Sequence, residues 1–331
     1  ALEALARADT VVLDKTGTLT RGKPTLVRVL PFGLSQEEAL RLAAALERGS
    51  EHPLAKAVLE AAESLPQAQA DEERAMPGAG VERGVEGRRL HLGGPALMER
   101  LGVPLPEEAK ALPEEGYTPL YLVEGTRLLA AFAVFDPPRP EAQEAVAALK
   151  ALGLKLVLLT GDHPAPARRV AEALGIPEVL AGVRPEGKVE AIRRLQAEGR
   201  KVVFVGDGIN DAAALAQADV GLAMGSGTDI ALEAGDVVLL TPDLRGVVNA
   251  VRLARRTLRT IYLNFFWAYA YNVVLIPVAA GALYPFTGLL LNPMLAAAAM
   301  SLSSLFVLTN SLRLRAFRPQ ALPSLNPAAS S

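Results

Sequence analysis

The sequence predicts an α/β protein: a doubly wound parallel sheet with an inserted α+β domain, followed by a two-helix transmembrane hairpin. Three observations predict this fold class. Short apolar runs alternate with amphipathic stretches along most of the chain, a segment between Gly22 and Phe132 breaks the alternation, and residues 260–312 carry no formal charge. With 331 residues, the chain is long enough for two or three domains that each bury a core.

The parallel sheet is predicted from the apolar runs Thr10–Leu13, Leu154–Leu159 and Lys201–Val205. Short runs that are apolar throughout are typical of strands buried on both faces. Helical patterns at Pro140–Leu152 and Pro185–Ala197 precede the second and third runs. This alternation of strands and helices favours a doubly wound sheet.

Polar side chains follow each predicted strand. Asp14 follows the first, Thr160 and Asp162 follow the second, and Asp207 follows the third. A sheet of this kind binds its ligand at the carboxyl ends of its strands, so we expect one site assembled from separated segments. An aspartate in such a place can act as a nucleophile and form an acyl phosphate, although a lone aspartate there is more often a turn or cap residue.

The inserted domain is predicted from helical patterns at Ser35–Arg48 and His52–Ser64 and a glycine-rich, β-rich stretch at Met76–Leu92. We therefore divide the chain as follows: residues 1–23 and 134–250 form the parallel-sheet domain, 24–133 the inserted domain, 251–316 the helix hairpin and 317–331 a disordered tail.

The hairpin is predicted from the uncharged segment, which has room for two spans at about 261–280 and 293–312. Its flanks are rich in arginine, which favours a cytoplasmic position for both ends. The alternative is a buried helical hairpin of a soluble protein. The flanking arginines are Arg252, Arg255, Arg256, Arg259, Arg313, Arg315 and Arg318.

The composition narrows the classes of function and of partner. A formal charge of −2 gives no overall basic field, so we expect no nucleic-acid partner. The absence of cysteine excludes disulfides and thiolate metal sites within this chain. Because the sequence starts at Ala1 without the regions of a signal peptide, we expect a longer parent protein.

The heptapeptide from Asp14 to Thr20, Asp-Lys-Thr-Gly-Thr-Leu-Thr, resembles the phosphorylation motif of P-type ATPases, which are members of the haloacid dehalogenase superfamily. The resemblance implies a haloacid dehalogenase-like sheet, ATP and Mg²⁺ as cofactors, and phosphorylation of Asp14. Lys15 and Thr16 belong to the same implied catalytic set.

The resemblance continues in order along the chain. Thr160, Gly161 and Asp162 match the motif that holds the transferred phosphoryl group, and Lys188 matches the lysine that neutralises its charge. Magnesium is implied at the Asp14 carboxylate, the Thr16 carbonyl and Asp207. The remaining members of the implied set, which support phosphate and metal, are Asn210 and Asp211.

Thr16 distinguishes a pump from a phosphatase. Phosphatases of the superfamily usually have a second aspartate at this position, which acts as general acid and base and hydrolyses the intermediate. Threonine does this poorly, so a persistent phosphoenzyme is expected. The alternative is a membrane-anchored phosphatase that hydrolyses small phosphomonoesters without ATP, and a further alternative is a catalytically silent fragment.

The inserted domain resembles the nucleotide-binding domain of heavy-metal-transporting P-type ATPases. Ser50-Glu51-His52-Pro53 matches its hallmark tetrapeptide, and an adenine contact at His52 is weighed against a helix-start role. The other implied ATP-binding residues are Glu47, the glycines Gly78, Gly80, Gly93 and Gly94, and the hinge residues Asp136 and Arg139.

The transported ion is implied to be Cu(I). Tyr271, Asn272, Met300 and Ser304 match the transport site of the copper branch, and a thioether and amide set without carboxylates favours a soft monovalent ion. Silver remains an alternative. The zinc and cadmium branch would show a lysine and an aspartate that are absent here, while ordinary helix packing would also account for these residues.

Three positions depart from the family pattern: His163 where asparagine is common, Pro95 after Gly93-Gly94, and Leu263 where the copper branch often has glutamine. The resemblance further implies a pump in the cell (inner) membrane, multi-pass, with its ATP-binding domains in the cytoplasm. Implied partners are membrane lipid, the N-terminal half of the pump with its actuator domain and earlier helices, and a copper chaperone.

Overall fold

A computed structural model of the chain describes residues 1–71, 74–76, 80–208, 210–225, 236–279 and 293–312. The predicted α/β class is confirmed, since a parallel and an antiparallel six-stranded sheet are both present. Gly78 and the predicted tail 317–331 lie outside the described residues.

The parallel sheet has the strand order β12-β11-β10-β1-β8-β9. Its strands are β1 (Thr10–Asp14), β8 (Lys155–Leu159), β9 (Glu178–Leu180), β10 (Val202–Asp207), β11 (Val220–Met224) and β12 (Val237–Leu239). The three predicted strands are confirmed as β1, β8 and β10. Because the chain places β8 on one side of β1 and β10 on the other, the carboxyl end of β1 is the switch point of the sheet.

Helices cover both faces of this sheet, as a buried parallel sheet requires. Apolar side chains of the sheet pack with α1, α6, α7 and the start of α10 on one face, and with α8 and α9 on the other. The bounds of these helices are α1 Leu2–Arg7, α6 Ala142–Ala151, α7 Pro164–Leu174, α8 Gly187–Ala197, α9 Ala212–Gln217 and α10 Arg245–Ala279.

The inserted segment forms an antiparallel sheet of order β2-β7-β6-β5-β4-β3 with helices on both faces. Its strands are β2 (Thr25–Pro31), β3 (Arg74–Met76), β4 (Gly80–Val85), β5 (Arg88–Gly93), β6 (Thr118–Glu124) and β7 (Arg127–Phe135). Its helices are α2 (Gln36–Glu47), α3 (Pro53–Ala61), α4 (Pro95–Leu101) and α5 (Glu107–Lys110).

The two C-terminal helices, α10 and α11 (Pro293–Leu312), cover the segments predicted as membrane spans. Asn264 donates from Nδ2 to Ser311 Oγ at 2.8 Å and joins the two helices. Among the described residues, however, no helix has both the length and the apolar character that crossing a membrane requires. The predicted helices are therefore confirmed and their spanning of a membrane is not.

Candidate active site

The predicted nucleophile, Asp14, is the last residue of β1 and only 5% exposed. A tight turn of residues Lys15–Leu19 follows it, and Gly17 in this turn has a φ of 79°. L side chains rarely adopt that conformation, so the turn requires glycine here. Thr16 is exposed on the turn. The sequence thus buries the Asp14 carboxylate at the switch point and turns the chain sharply away from it.

Lys188, near the start of α8, joins two carboxylates at this edge of the sheet. Its Nζ lies 3.2 Å from Asp14 Oδ1 and 3.0 Å from Asp211 Oδ1. Asp211 immediately precedes α9 and is 2% exposed. The structure therefore brings together Asp14, Lys188 and Asp211, three of the predicted catalytic residues, from segments far apart in the chain.

Charge at this cluster is unbalanced. Burial, together with the hydrogen bond and repulsion from Asp211, raises the pKa of Asp14 to about 8, although Lys188 acts in the opposite direction. Burial lowers the pKa of Lys188, but the carboxylates of Asp14 and Asp211 outweigh this effect and raise it above its ordinary value. One ammonium group faces two buried carboxylates, so a further cation would stabilise the ionised form of both.

Asp207 supplies a carboxylate beside this cluster. It ends β10, the strand that pairs with β1, and it is half-buried. Its amide donates to Asp211 Oδ2 at 3.2 Å, while the Asp211 amide donates to the Asp207 carbonyl at 3.0 Å. Proteins usually bind Mg²⁺ through one or two carboxylates together with substrate phosphates. The donors Asp14, Asp207 and the Thr16 carbonyl therefore fit Mg²⁺ in their chemistry.

Within the described part of the chain, no three His, Cys, Asp or Glu side chains form a metal cluster. Asn210, which was predicted to support phosphate and metal, is exposed directly before Asp211.

The Thr160-Gly161-Asp162 segment lies against the turn that follows Asp14. Lys15 is 4% exposed, and its ammonium group pairs with the Asp162 carboxylate. Thr160 is buried, and its Oγ1 accepts a hydrogen bond from the Asp162 amide at 3.1 Å. At Gly161 a Cβ atom would lie 3.2 Å from the Val183 carbonyl oxygen. These contacts hold the two predicted motifs side by side.

Arg139 donates hydrogen bonds to the turn that follows Asp14. Its guanidinium group donates to the carbonyls of Thr18 at 2.8 Å and Gly17 at 3.3 Å, and its backbone amide donates to the Leu19 carbonyl at 2.7 Å. Asp136 accepts from Thr20 Oγ1 at 2.7 Å. Both residues were predicted to bind nucleotide at the hinge. In this structure the side chain of Arg139 binds the turn that follows Asp14.

A cleft of about 260 Å³ separates the parallel sheet from the inserted domain. Among the residues that line it are Lys15, Thr16, Asp162 and His163 on one side and Pro53, Leu54, Gly116 and Thr118 on the other. The turn after Asp14 therefore shares one cleft with the segment that follows His52.

His52 starts α3. It is exposed, and its Nδ1 accepts a hydrogen bond from the Leu54 amide at 3.2 Å, which caps the helix. Since Nδ1 is an acceptor, the neutral ring carries its proton on Nε2. The Ser50 hydroxyl accepts from the His52 amide at 3.4 Å. Glu47, the last residue of α2, is buried, and Glu51 is exposed. His52 therefore caps the start of α3, as one of the two sequence-based interpretations expected. The Nε2–H group is not used by this cap.

Three of the predicted glycines, Gly80, Gly93 and Gly94, lie together where β4 begins and β5 ends. Gly80 pairs with Gly93 across β4 and β5, and a Cβ atom at Gly80 would lie 2.2 Å from the Leu92 carbonyl oxygen. Close approach of the two backbones thus requires glycine at position 80. Gly94 caps the start of α4.

The residues predicted for ion transport lie on the two C-terminal helices. Tyr271 is half-buried and Asn272 exposed on α10, and Ser304 is exposed on α11. Met300 also lies on α11, and its side chain is outside the described part of the structure.

Sequence reasoning missed Arg169, which connects α7 to the inserted domain. Its guanidinium carbon lies 4.2 Å from the centre of the Tyr117 ring, and Nη1 donates to the Glu115 carbonyl at 2.8 Å. A cation above an aromatic ring is attracted to it. A single arginine on an amphipathic helix gives no sequence signal for such a contact.

The chain is similar to a known protein family, to individual ATPases and to solved ATPase structures. The family profile described as haloacid dehalogenase-like hydrolase matches residues 8–219. The chain is 49% identical to a copper-transporting ATPase of Rhizobium meliloti (strain 1021), covering 96% of this chain and 39% of that protein. It is 44% identical to a silver exporting P-type ATPase of Salmonella typhimurium, covering 96% of this chain and 39% of that protein.

Among solved structures, the chain is similar to the crystal structure of a zinc-transporting PIB-type ATPase in the E2.Pi state. The TM-score is 0.82 with 38% sequence identity, over 95% of this chain and 51% of the other. The chain thus spans well under two thirds of the length of the relatives it matches.

Proposed function

The chain belongs to the haloacid dehalogenase-like hydrolases, and on that premise we propose that it is the ATP-hydrolysing part of a P-type pump that exports Cu(I). The observation that carries the proposal is the contact of Lys188 with both Asp14 and Asp211. It joins a buried nucleophile to a cation at the switch point of the sheet, where a phosphoryl group would bind.

In the proposed reaction, an oxygen of the Asp14 carboxylate attacks the γ-phosphorus of ATP. The bond from that phosphorus to the bridging oxygen breaks, ADP leaves, and an aspartyl phosphate remains. Lys188 stabilises the negative charge of the transferred group, because its ammonium group already lies within 3.2 Å of the nucleophile. Bound magnesium, held by Asp14, Asp207 and the Thr16 carbonyl, would neutralise phosphate charge.

The residues after β8 hold the phosphoryl group in this proposal. The Thr160 hydroxyl and the backbone amide of Gly161 are suitable donors. Asp162 also fixes Lys15, whose buried ammonium group would otherwise lack a counter-ion. Asn210 and Asp211 support phosphate and metal from the end of β10.

ATP is proposed to bind in the cleft, with its adenine against the inserted domain. The Nε2 proton of His52 is a donor for the base, and Glu47, Ser50 and Glu51 belong to the same segment. The glycines 78, 80, 93 and 94 allow the adenine to approach the backbone. Asp136 and Arg139 would transmit domain closure to the turn after Asp14.

Thr16 favours the pump over the phosphatase alternative. It is exposed on the turn and lines the cleft, which is where a second aspartate would activate water. A hydroxyl in that place transfers protons poorly, so the intermediate would persist long enough to couple to ion movement.

Cu(I) is the proposed ion, bound by Tyr271, Asn272, Met300 and Ser304 in the complete pump. The similarity to a copper-transporting ATPase supports this assignment. Silver is the principal alternative, because a silver exporting relative is also similar and the same soft donors suit both ions.

We place the pump in the cell membrane, with the two sheet domains, residues 1–23 with 134–250 and 24–133, in the cytoplasm. The exposed aromatic side chains of α10, among them Phe265, Phe266 and Tyr269, support contact with lipid. The earlier helices, the actuator domain and a copper chaperone complete the proposed set of partners.

The test is a pulse of γ-labelled ATP with Mg²⁺ on the detergent-solubilised chain, followed by a chase with unlabelled ATP. A protein-bound label that survives the chase supports the pump. Rapid release of phosphate from a small phosphomonoester, without retained label, would support the phosphatase. Asp71→Asn, an exposed aspartate of the inserted domain, is the matched control for Asp14→Asn.

A further inference from the structure

Four arginines form a stripe on α10: Arg252, Arg255, Arg256 and Arg259. Their spacing of three and four residues places them on one side of the helix. Like charges at these spacings destabilise a helix, and the 35 residues of α10 include no Asp or Glu. The helix therefore concentrates positive charge that a bound anion would stabilise.

The four arginines line one cavity of about 550 Å³, which is within the size range of small-ligand sites. Nη1 of Arg255 donates to the Leu152 carbonyl at 2.7 Å. Leu152 is the C-terminal cap residue of α6, so this contact anchors the stripe to the parallel-sheet domain. Arg252 and Arg259 are exposed and lie at the surface of this cavity.

A second cavity, of about 470 Å³, adjoins the first along α10. The two share Arg255, Arg259 and Leu263. The other residues that line the second cavity are mainly apolar: Ala6, Leu258, Tyr262 and Phe266. Tyr262 and Phe266 are 51% and 61% exposed. A strongly basic cavity thus opens next to an apolar one on the same helix face.

We propose that the two cavities together bind an anionic phospholipid, with its phosphate among the arginines and an acyl chain along Tyr262 and Phe266. Guanidinium groups are well suited to phosphate because they donate two parallel hydrogen bonds. A soluble phosphate shares this chemistry but would leave the apolar cavity unused. The inference rests on the membrane location proposed above.

Trp267 provides a local probe of this site. It is the single tryptophan of the chain, it is 43% exposed, and it lies one helical turn beyond Leu263 and two beyond Arg259 on the same face. Lipids with brominated acyl chains quench tryptophan fluorescence on contact. The experiment titrates the detergent-solubilised chain with brominated phosphatidylglycerol and, separately, with brominated phosphatidylcholine.

The proposal predicts that phosphatidylglycerol quenches Trp267 at a lower mole fraction than phosphatidylcholine. Each arginine near a membrane surface contributes about fivefold to the affinity for anionic lipid. The double variant R252Q/R259Q should therefore weaken the phosphatidylglycerol response about 30-fold. R100Q/R168Q removes the same charge at two exposed arginines elsewhere and should leave the response unchanged.

Four results would overturn the inference. Equal quenching by the two lipids would show no preference for the anionic headgroup, and equal weakening in both double variants would show unspecific attraction. Displacement of the lipid by an equimolar amount of glycerol phosphate would assign the cavity to a soluble anion. Absence of quenching by either lipid would overturn the membrane location, whereas phosphorylation of Asp14 by ATP tests the catalytic proposal independently.

Discussion

The ammonium group of Lys188 lies 3.2 Å from the carboxylate of Asp14, although the two residues are 174 positions apart in the chain. The contact forms because β1 and α8 both present these residues at the carboxyl edge of the parallel sheet. The same ammonium group contacts Asp211. Among the described residues, Lys188 is therefore the main source of positive charge next to the Asp14 carboxylate.

Replacement of Lys188 by alanine should slow phosphorylation by ATP about 10²- to 10³-fold, the usual effect of removing one preorganised charge-stabilising donor. The measurement is the rate of label incorporation at saturating ATP. Lys110→Ala, at an exposed lysine of α5, is the control and should label normally. Incorporation at the wild-type rate in Lys188→Ala would refute the role of this lysine.

Thr16→Asp should shorten the lifetime of the phosphoenzyme. The new carboxylate would lie two residues after the nucleophile, at the rim of the cleft, where it can take a proton from water. General-base catalysis contributes about 10²- to 10⁴-fold, so decay should accelerate by at least about tenfold. Thr16→Asn, which cannot take that proton, should decay like the wild type, and equal lifetimes in all three proteins would contradict the interpretation.

Two substitutions at His52 separate its structural role from the proposed adenine contact. Asparagine can replace the cap on α3, whereas alanine cannot, so only His52→Ala should lose about 1 kcal/mol of folding stability. Both variants lack the Nε2 donor and should bind ATP more weakly. Calorimetric titration with ATP and chemical denaturation measure the two effects. Normal ATP affinity in His52→Asn would limit this residue to capping.

The buried pair of Asp243 and Arg245 predicts acid sensitivity. Burial acts to raise the pKa of Asp243, but hydrogen bonds from Arg245, at 2.6 and 3.0 Å, outweigh it and hold this pKa below its ordinary value. The stabilisation is therefore complete above the unfolded-state pKa, about 4, and is lost as the pH falls through the lower folded-state pKa.

Asp243→Asn should cost about 3 kcal/mol of unfolding free energy at neutral pH, because it removes the hydrogen-bonded carboxylate from a buried guanidinium group. The remaining carboxylate, Glu144 Oε2, lies 3.9 Å from Arg245 Nη1. Between about pH 5 and pH 3 the variant should lose less stability than the wild type. Denaturant unfolding at several pH values checks both statements. Parallel pH profiles for the two proteins would show that this pair does not set the acid sensitivity.

The sequence predicted the elements that carry strong periodicity. Helices α2, α6 and α8 and strands β1, β8 and β10 were found within a few residues of their predicted bounds, because each buries a regular apolar face. The short strands β9 and β12, of three residues each, lack enough residues to show a pattern. Their places are set by pairing with β8 and β11 rather than by local preference.

The sequence predicted which residues belong to the site but not their distances from one another. Those distances depend on the packing of segments that are far apart in the chain. The motif around Asp14 was visible because its residues are adjacent in the chain. The contacts of Arg139 with the Gly17 and Thr18 carbonyls were not, because they join backbone atoms to a distant side chain. The sequence left two interpretations of His52, an adenine contact and a cap on α3, and the structure contains the cap.

The position of the phosphoryl group tests the central claim most directly. After reaction with γ-labelled ATP and Mg²⁺, the acid-quenched protein is digested and the labelled peptide is sequenced by mass spectrometry. We predict an acid-stable, hydroxylamine-labile label on Asp14 that is absent in Asp14→Asn. A label on another residue, such as Asp207 or Asp211, or one that persists in Asp14→Asn, would contradict the account.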